Sequence, residues 1–202
     1  MFALMGPSPY AFVMEGNYRK LKDNCVYRTF FGDDLRYFCR GLKACYTRYG
    51  SLEALFACAM ELRFDGADRT SAASSAGAVW DGIALFRETI AQANGGAAKQ
   101  PVYTKHIADP GSGSACKRLH LALRWLVRKE GPVDMGLWSS ISPASLFIPL
   151  DLHVGRSARQ LGLLEESRKS NDKKAVISLT EKLRELCPED PVKYDFALFM
   201  YR

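Results

Sequence analysis

A helical hydrophobic period runs through most of this chain, and the pattern that makes strands is nearly missing. Apolar residues recur three and four apart from Leu35 to Leu62, with a break at Gly50–Ser51 where a glycine ends one helix and a serine caps the next. The period returns over "VWDGIALFRETIAQA", Val79 to Ala93, after a small, polar, turn-like stretch from Asp65 to Ala78. A loop, "NGGAAKQPVYTKHIADPGSGS", leads into a further amphipathic segment, "ACKRLHLALRWLVRK". Beyond Leu164 come a polar connector and an amphipathic helix stopped at Cys187–Pro188, then "PEDPVKYDFALFMYR" as a final apolar helix. No alternating run with hairpin punctuation competes with these segments, so the expected fold is all-α. With 202 residues, 48% of them hydrophobic, the chain can bury a sizeable core as one compact domain over 1–202, or as two small lobes of about 1–100 and 101–202 with a cleft between.

The same text excludes several classes. No run of eighteen apolar residues is present, and the opening "MFALMGPSPYAFVMEG" lacks a basic n-region and an unbroken apolar stretch, so a membrane partner and a signal peptide are not expected and a cytoplasmic location is. Six cysteines (Cys25, Cys39, Cys45, Cys58, Cys116 and Cys187) lie scattered without a CxxC pair or zinc-ligand spacing. Reduced, buried thiols follow, with no metal and no cofactor expected. A formal charge of +6 favours polyanion partners.

The informative stretch is "GSGSACKRLHLALRWLVRK". With Ser114 as N-cap, Lys117 falls at the third helical position, and Gly113 and Ser114 leave the first backbone N–H groups open to an anion. At 100° per residue Lys117, His120, Arg124 and Arg128 form one basic stripe, opposite a core face of Leu119, Ala122, Leu123, Leu126 and Val127. The helix dipole, the arginines and any burial all disfavour an ammonium at Lys117, which suits it to imine chemistry; phosphate binding and plain solvation are the other uses of such a lysine. Further on, in "IPLDLHVGRSARQLGLL", Asp151 N-caps a helix with Val154, Ala158 and Leu161 inward and Arg156 and Arg159 outward or toward a partner.

The order of these pieces, a "PGSGSACK" turn and helix start followed by "IPLDLHVGRSARQLG", resembles the helix–hairpin–helix DNA glycosylases. Over most of its length the chain also looks like a bacterial family of conserved hypothetical proteins, through "YRTFFGDDLRYF", "SACKRLHLALRWLVRK", "DMGLWSSISPASLFIPLDLHV" and "PEDPVKYDFALF". Its site motifs, about a third of the chain, are similar to the archaeal 8-oxoguanine DNA glycosylase branch. That resemblance implies a helix–hairpin–helix glycosylase fold, Lys117 as nucleophile, Asp151 as its assisting carboxylate, and Asp195 with Phe199 one turn on as the pair holding the oxidised base. Phe199 stands where the branch usually has tryptophan. It further implies phosphate contacts from Gly113, Ser114, Arg118, Arg124, Arg128, His153 and Arg156, and a monomer acting on double-stranded DNA with a damaged base in the nucleoid. The cluster-binding cysteines of many members are missing, and members start further upstream than Met1, so one wall of the base pocket is expected to be absent.

Three readings therefore compete: a DNA glycosylase and abasic-site lyase, a non-catalytic helical nucleic-acid-binding module in which Asp151 only caps a helix, and a basic scaffold that binds no nucleic acid. Trp80 and Trp138 are expected in the core, and "TFFGDD" as a turn between helices.

Overall fold

A computed structural model describes residues 2–63, 72–95, 100–167 and 169–201. It is mostly helical: α1 (Pro9–Glu15), α2 (Gly32–Tyr49), α3 (Leu52–Arg63), α4 (Ala72–Ala93), α5 (Lys117–Val127), α6 (Leu152–Gln160), α7 (Lys173–Leu186) and α8 (Asp195–Met200). Two short antiparallel hairpins, which no alternating run announces, accompany them: β1 (Cys25–Tyr27) with β2 (Phe30–Phe31), and β3 (Lys129–Glu130) with β4 (Asp134–Met135). Strands of two or three residues are too short to show a period of two. No described helix is long and apolar enough to cross a membrane.

The break between α2 and α3 falls where Gly50 and Ser51 place it. Gly50 sits at φ +81° and Ser51 Oγ accepts from the Ala54 amide at 2.9 Å. The stretch 72–78, expected as turn, is instead the start of α4, because alanine-rich sequence is a strong helix former once a helix continues through it; 65–71 lies outside the described residues.

Two compact units emerge, Met1–Leu55 with Leu85–Ile107, and Phe56–Ala84 with Ala108–Arg202. The division is thus not a single cut near residue 100. Residues 56–84 join the second unit through their aromatic rings: Phe56 packs on Trp138 at 5.5 Å, and Trp80, 5% exposed, meets His120 at 4.5 Å and Phe147 at 5.3 Å. In the first unit Phe12, Val13, Tyr18, Leu35 and Cys39 form a core between α1 and α2. In the second, the non-helical run Leu146–Leu150 is buried whole, and α7 partners part of its backbone: Thr180 Oγ1 accepts from the Ile148 amide at 3.2 Å, and the Arg184 guanidinium donates to Leu146 O and to Ala144 O just before the run. Asp151 emerges at the end of that fixed run. Of the cysteines, Cys39, Cys45 and Cys116 are buried, Cys58 and Cys187 are half-buried and Cys25 is exposed, so burial does not extend to all six.

His120 is buried without a hydrogen-bond partner on either ring nitrogen among the described residues. Burial first, and the Lys173 charge second, push its imidazole down to about 3. The neutral ring's stabilising contribution is complete above the unfolded value of about 6.5 and is lost as pH falls toward the folded value, at roughly 1.4 kcal/mol per pH unit. Denaturant melts of the wild-type chain should therefore lose about 2 kcal/mol between pH 8 and pH 5, and His120→Leu, which removes two unsatisfied polar atoms, should flatten that loss. Equal pH slopes for the two proteins would dismiss His120 as the source.

Candidate active site

Lys117 and Asp151, thirty-four residues apart, meet: Lys117 Nζ donates to Asp151 Oδ2 at 2.8 Å. The carboxylate is divided between two tasks. Its Oδ1 accepts from the Val154 amide at 2.9 Å and N-caps α6, as the sequence led us to expect, which leaves Oδ2 for the amine. The Asp151 side chain is 14% exposed and that of Lys117 45%, so the pair has a closed side and an open one. Burial pushes the Asp151 carboxyl up, but the Lys117 hydrogen bond and charge and the Val154 and His153 amides outweigh it and hold the group below its ordinary value.

Lys117 stands at the first position of α5, not the third. The N-cap is Cys116, held at φ +45°, and no side chain caps the helix; Ser114 Oγ instead accepts from the Cys116 amide at 3.3 Å. The two-residue difference arises because the chain makes its last turn through a left-handed non-glycine residue after Gly113, itself at φ +82°.

Three of the four residues of the basic stripe, His120, Arg124 and Arg128, are buried. Arg124 and Arg128, expected to contact phosphates, are 1% and 3% exposed, so they face the interior instead of an open surface. Arg124 donates to Asp195 Oδ2 at 2.5 Å and to Asp134 Oδ2 at 3.2 Å, while Arg128 pairs with Asp190 at 2.8 Å and with Asp134 and Glu130. Buried guanidinium groups persist only with such partners, and these come from the β3–β4 hairpin and the C-terminal segment. Lys117 and Arg118 are the exposed cations at the start of α5, and Arg156 is exposed on α6.

Asp195 and Phe199 divide along α8. Asp195 is 6% exposed with one oxygen held by Arg124; burial pushes its carboxyl up, against the pull of Arg124, and both Asp151 and Lys117 act on it electrostatically. Phe199 is 47% exposed and lies edge-on to the exposed His153 at 5.6 Å, so it is not core. Beside it a cavity of about 450 Å³ is lined by His153, Arg156, Ser157, Phe199, Met200 and Tyr201. A second concavity of about 400 Å³, lined by Ser112–Lys117 and Ser170–Asp172, holds Gly113 and Ser114. Leu161, expected inward on α6, is 45% exposed at the helix end.

The connector before α7 holds both halves of the site together. Asn171 Nδ2 donates to Asp151 O at 2.8 Å while its Oδ1 accepts from Arg159 at 2.9 Å, and the Lys173 amide donates to Gly113 O at 2.8 Å. One short segment thus fixes both the start of α6 and the turn before α5, and with them the two members of the pair. The "SND" preceding α7 carried the signal, since Asp172 caps that helix through the Ala175 amide.

No curated protein and no solved structure matches the chain. A family model does match, over residues 1–202, and the chain belongs to that family, described as "Protein of unknown function (DUF2400)".

Proposed function

We propose that this protein is a base-excision DNA glycosylase with abasic-site lyase activity, acting on duplex DNA that carries an oxidised purine such as 8-oxoguanine. The reading rests on one observation above the rest: an amine at a helix start in hydrogen-bond contact with a carboxylate whose second oxygen is already committed to capping. A salt bridge alone would do nothing chemical. This one has an exposed amine that lines a concavity with Gly113 and Ser114, and sits in a basic chain.

A stacked base hides its sugar, so the nucleotide must first leave the duplex, at a cost of a few kcal/mol that damage lowers. Asp151 Oδ2 takes a proton from the Lys117 ammonium, and the freed Nζ lone pair bonds to C1′ as the C1′–N9 bond breaks, its electrons leaving with the base, which takes up a proton. Loss of the proton on nitrogen and opening of the sugar C1′–O4′ bond give the imine and a 4′-hydroxyl. Removal of a C2′ proton then expels the 3′ phosphate, and water on the imine returns the amine. Asp151 is the source of the proton that the departing base takes up, and the carboxylate so restored stabilises the charge developing on the sugar.

Phe199 would stack on the extruded base beside His153, with Asp195, one turn earlier on α8 and held by Arg124, as a hydrogen-bond acceptor for that base. Gly113, Ser114, Arg118 and Arg156 would contact phosphates, and such contacts weaken as salt rises. The non-catalytic binding module keeps those contacts but gives no use to a half-exposed amine on a capping carboxylate. Borohydride separates the two: with lesion-bearing duplex, an enzyme of this type is trapped as a covalent protein–DNA adduct and a binding module is not.

A further inference from the structure

We infer that the exposed β1–β2 hairpin of the first unit is a separate nucleic-acid contact, taking an unpaired base on Tyr27 and the neighbouring phosphates on Arg19, Lys20 and Lys22. It shares a partner class with the reading above but none of its residues.

The hairpin is built to present its tip. Gly32 opens α2, and a Cβ there would lie 2.0 Å from Lys22 O, so only glycine lets the 22–24 segment cross the start of that helix. The Gly32 amide donates to Asn24 O at 3.0 Å, and Cys25 faces Phe31 in the hairpin register, which places the basic segment at the hairpin's base. Arg19 and Lys20 end the short 3-10 helix Asn17–Lys20 that leads into it.

The acidic residues of the same region are turned elsewhere. Asp23 Oδ1 accepts from the Asp33 amide at 2.9 Å, Asp34 Oδ2 accepts from the Phe31 amide at 2.8 Å, Asp33 pairs with Arg36, and Glu15 accepts from Asn17 at 3.0 Å. Arg19, Lys20, Lys22 and Arg28 are all exposed, and among the described residues none has a carboxylate partner. Four cations without counter-charges along one short stretch suit a phosphate backbone.

At the tip, Tyr27 is 60% exposed with the Arg28 guanidinium 5.1 Å above its ring. Arg28 adopts φ +53°, a left-handed conformation unusual for a residue with a Cβ, and the Cys25 thiol donates to its carbonyl at 3.2 Å. A strained turn that displays an aromatic–guanidinium pair offers flat surface to an unstacked base, which every nucleobase can use.

Fluorescence anisotropy of the full chain with a short labelled oligothymidine, across a salt series, tests this. Tyr27→Ala should weaken binding by about tenfold at fixed salt. Replacing Arg19, Lys20 and Lys22 together by alanine should reduce the slope of log affinity against log salt by roughly two. Arg28→Gly suits the left-handed turn, so it should leave the melting temperature unchanged or higher while weakening binding, a combination that misfolding cannot produce. Variants that bind like the wild type would overturn the inference, as would an effect confined to anionic phosphatidylserine vesicles. Loss of oligothymidine binding in these variants, alongside a wild-type chain that releases no base and forms no borohydride adduct, would dismiss the glycosylase reading and leave the hairpin contact standing.

Discussion

Lys117→Gln should abolish borohydride trapping on duplex containing 8-oxoguanine and lower base release by about a thousandfold or more, because an amide nitrogen has no basic lone pair to form the imine. The fold should survive. The lysine side chain is 45% exposed, and its ion pair is worth at most about 1 kcal/mol at such a position. Asp151 keeps its hydrogen bond from the Val154 amide, so α6 remains capped. Asp151→Asn makes the complementary case: asparagine caps as well as aspartate, so denaturant melts should change little, while loss of the proton acceptor should slow base release by about 10²- to 10⁴-fold. Duplex affinity, measured separately at one fixed salt concentration, should stay close to wild type for both if, as proposed, the phosphate contacts fall to other residues. Full base release by Lys117→Gln would remove the assignment. A persistent adduct would move attention to Lys173, whose ammonium lies 3.4 Å from Pro110 O and 4.6 Å from the Trp80 ring.

What the sequence disclosed about this site, and what it hid, divides by the range of the interaction. Asp151 could be placed because capping is local, settled by the three residues that follow it. The helical segments were legible for the same reason, since an amphipathic period is written into each one. Lys117 was misplaced by two positions because Cys116 takes a left-handed turn without the glycine that would announce it. The arginines show the larger difficulty. Arg124 and Arg128 do share one side of α5, as spacing requires, but spacing cannot say whether that side meets water or carboxylates. The answer lies in Asp134, Asp190 and Asp195, brought in from as far as seventy-one residues away. Asn171 was invisible on similar grounds, because its task is to hold a backbone carbonyl twenty residues earlier.

Arg124→Leu should be the most destabilising single change in the second unit, at roughly 3–5 kcal/mol, because it strips a buried carboxylate of its cation. Asp195 is 6% exposed and Arg124 1%, with Nη1 and Oδ2 2.5 Å apart, so no water replaces the lost partner cheaply. The guanidinium also lies 4.1 Å from the Phe196 ring, tying α8 to α5 by a second contact. Asp134 would fare better, since Arg128 still holds it. The sign with pH follows from Asp195. Burial already pushes its carboxyl up, and removing Arg124 takes away the principal opposing influence. The deficit of the variant should therefore be full above the raised folded value, shrink as pH falls through it, and vanish below the unfolded value near about 3.9. Replacing the pair together, Arg124→Met with Asp195→Leu, should recover most of the stability, because apolar side chains of similar size often serve as well as a buried ion pair. Urea melts at several pH values read all of this. A cost under about 1 kcal/mol for Arg124→Leu, or a double variant no more stable than the single, would mean that the guanidinium is hydrated and that α8 is held by its apolar contacts alone. Should the double variant fold and still form the borohydride adduct while losing preference for 8-oxoguanine over undamaged guanine, then Asp195 serves selectivity and the chemistry belongs to Lys117 and Asp151.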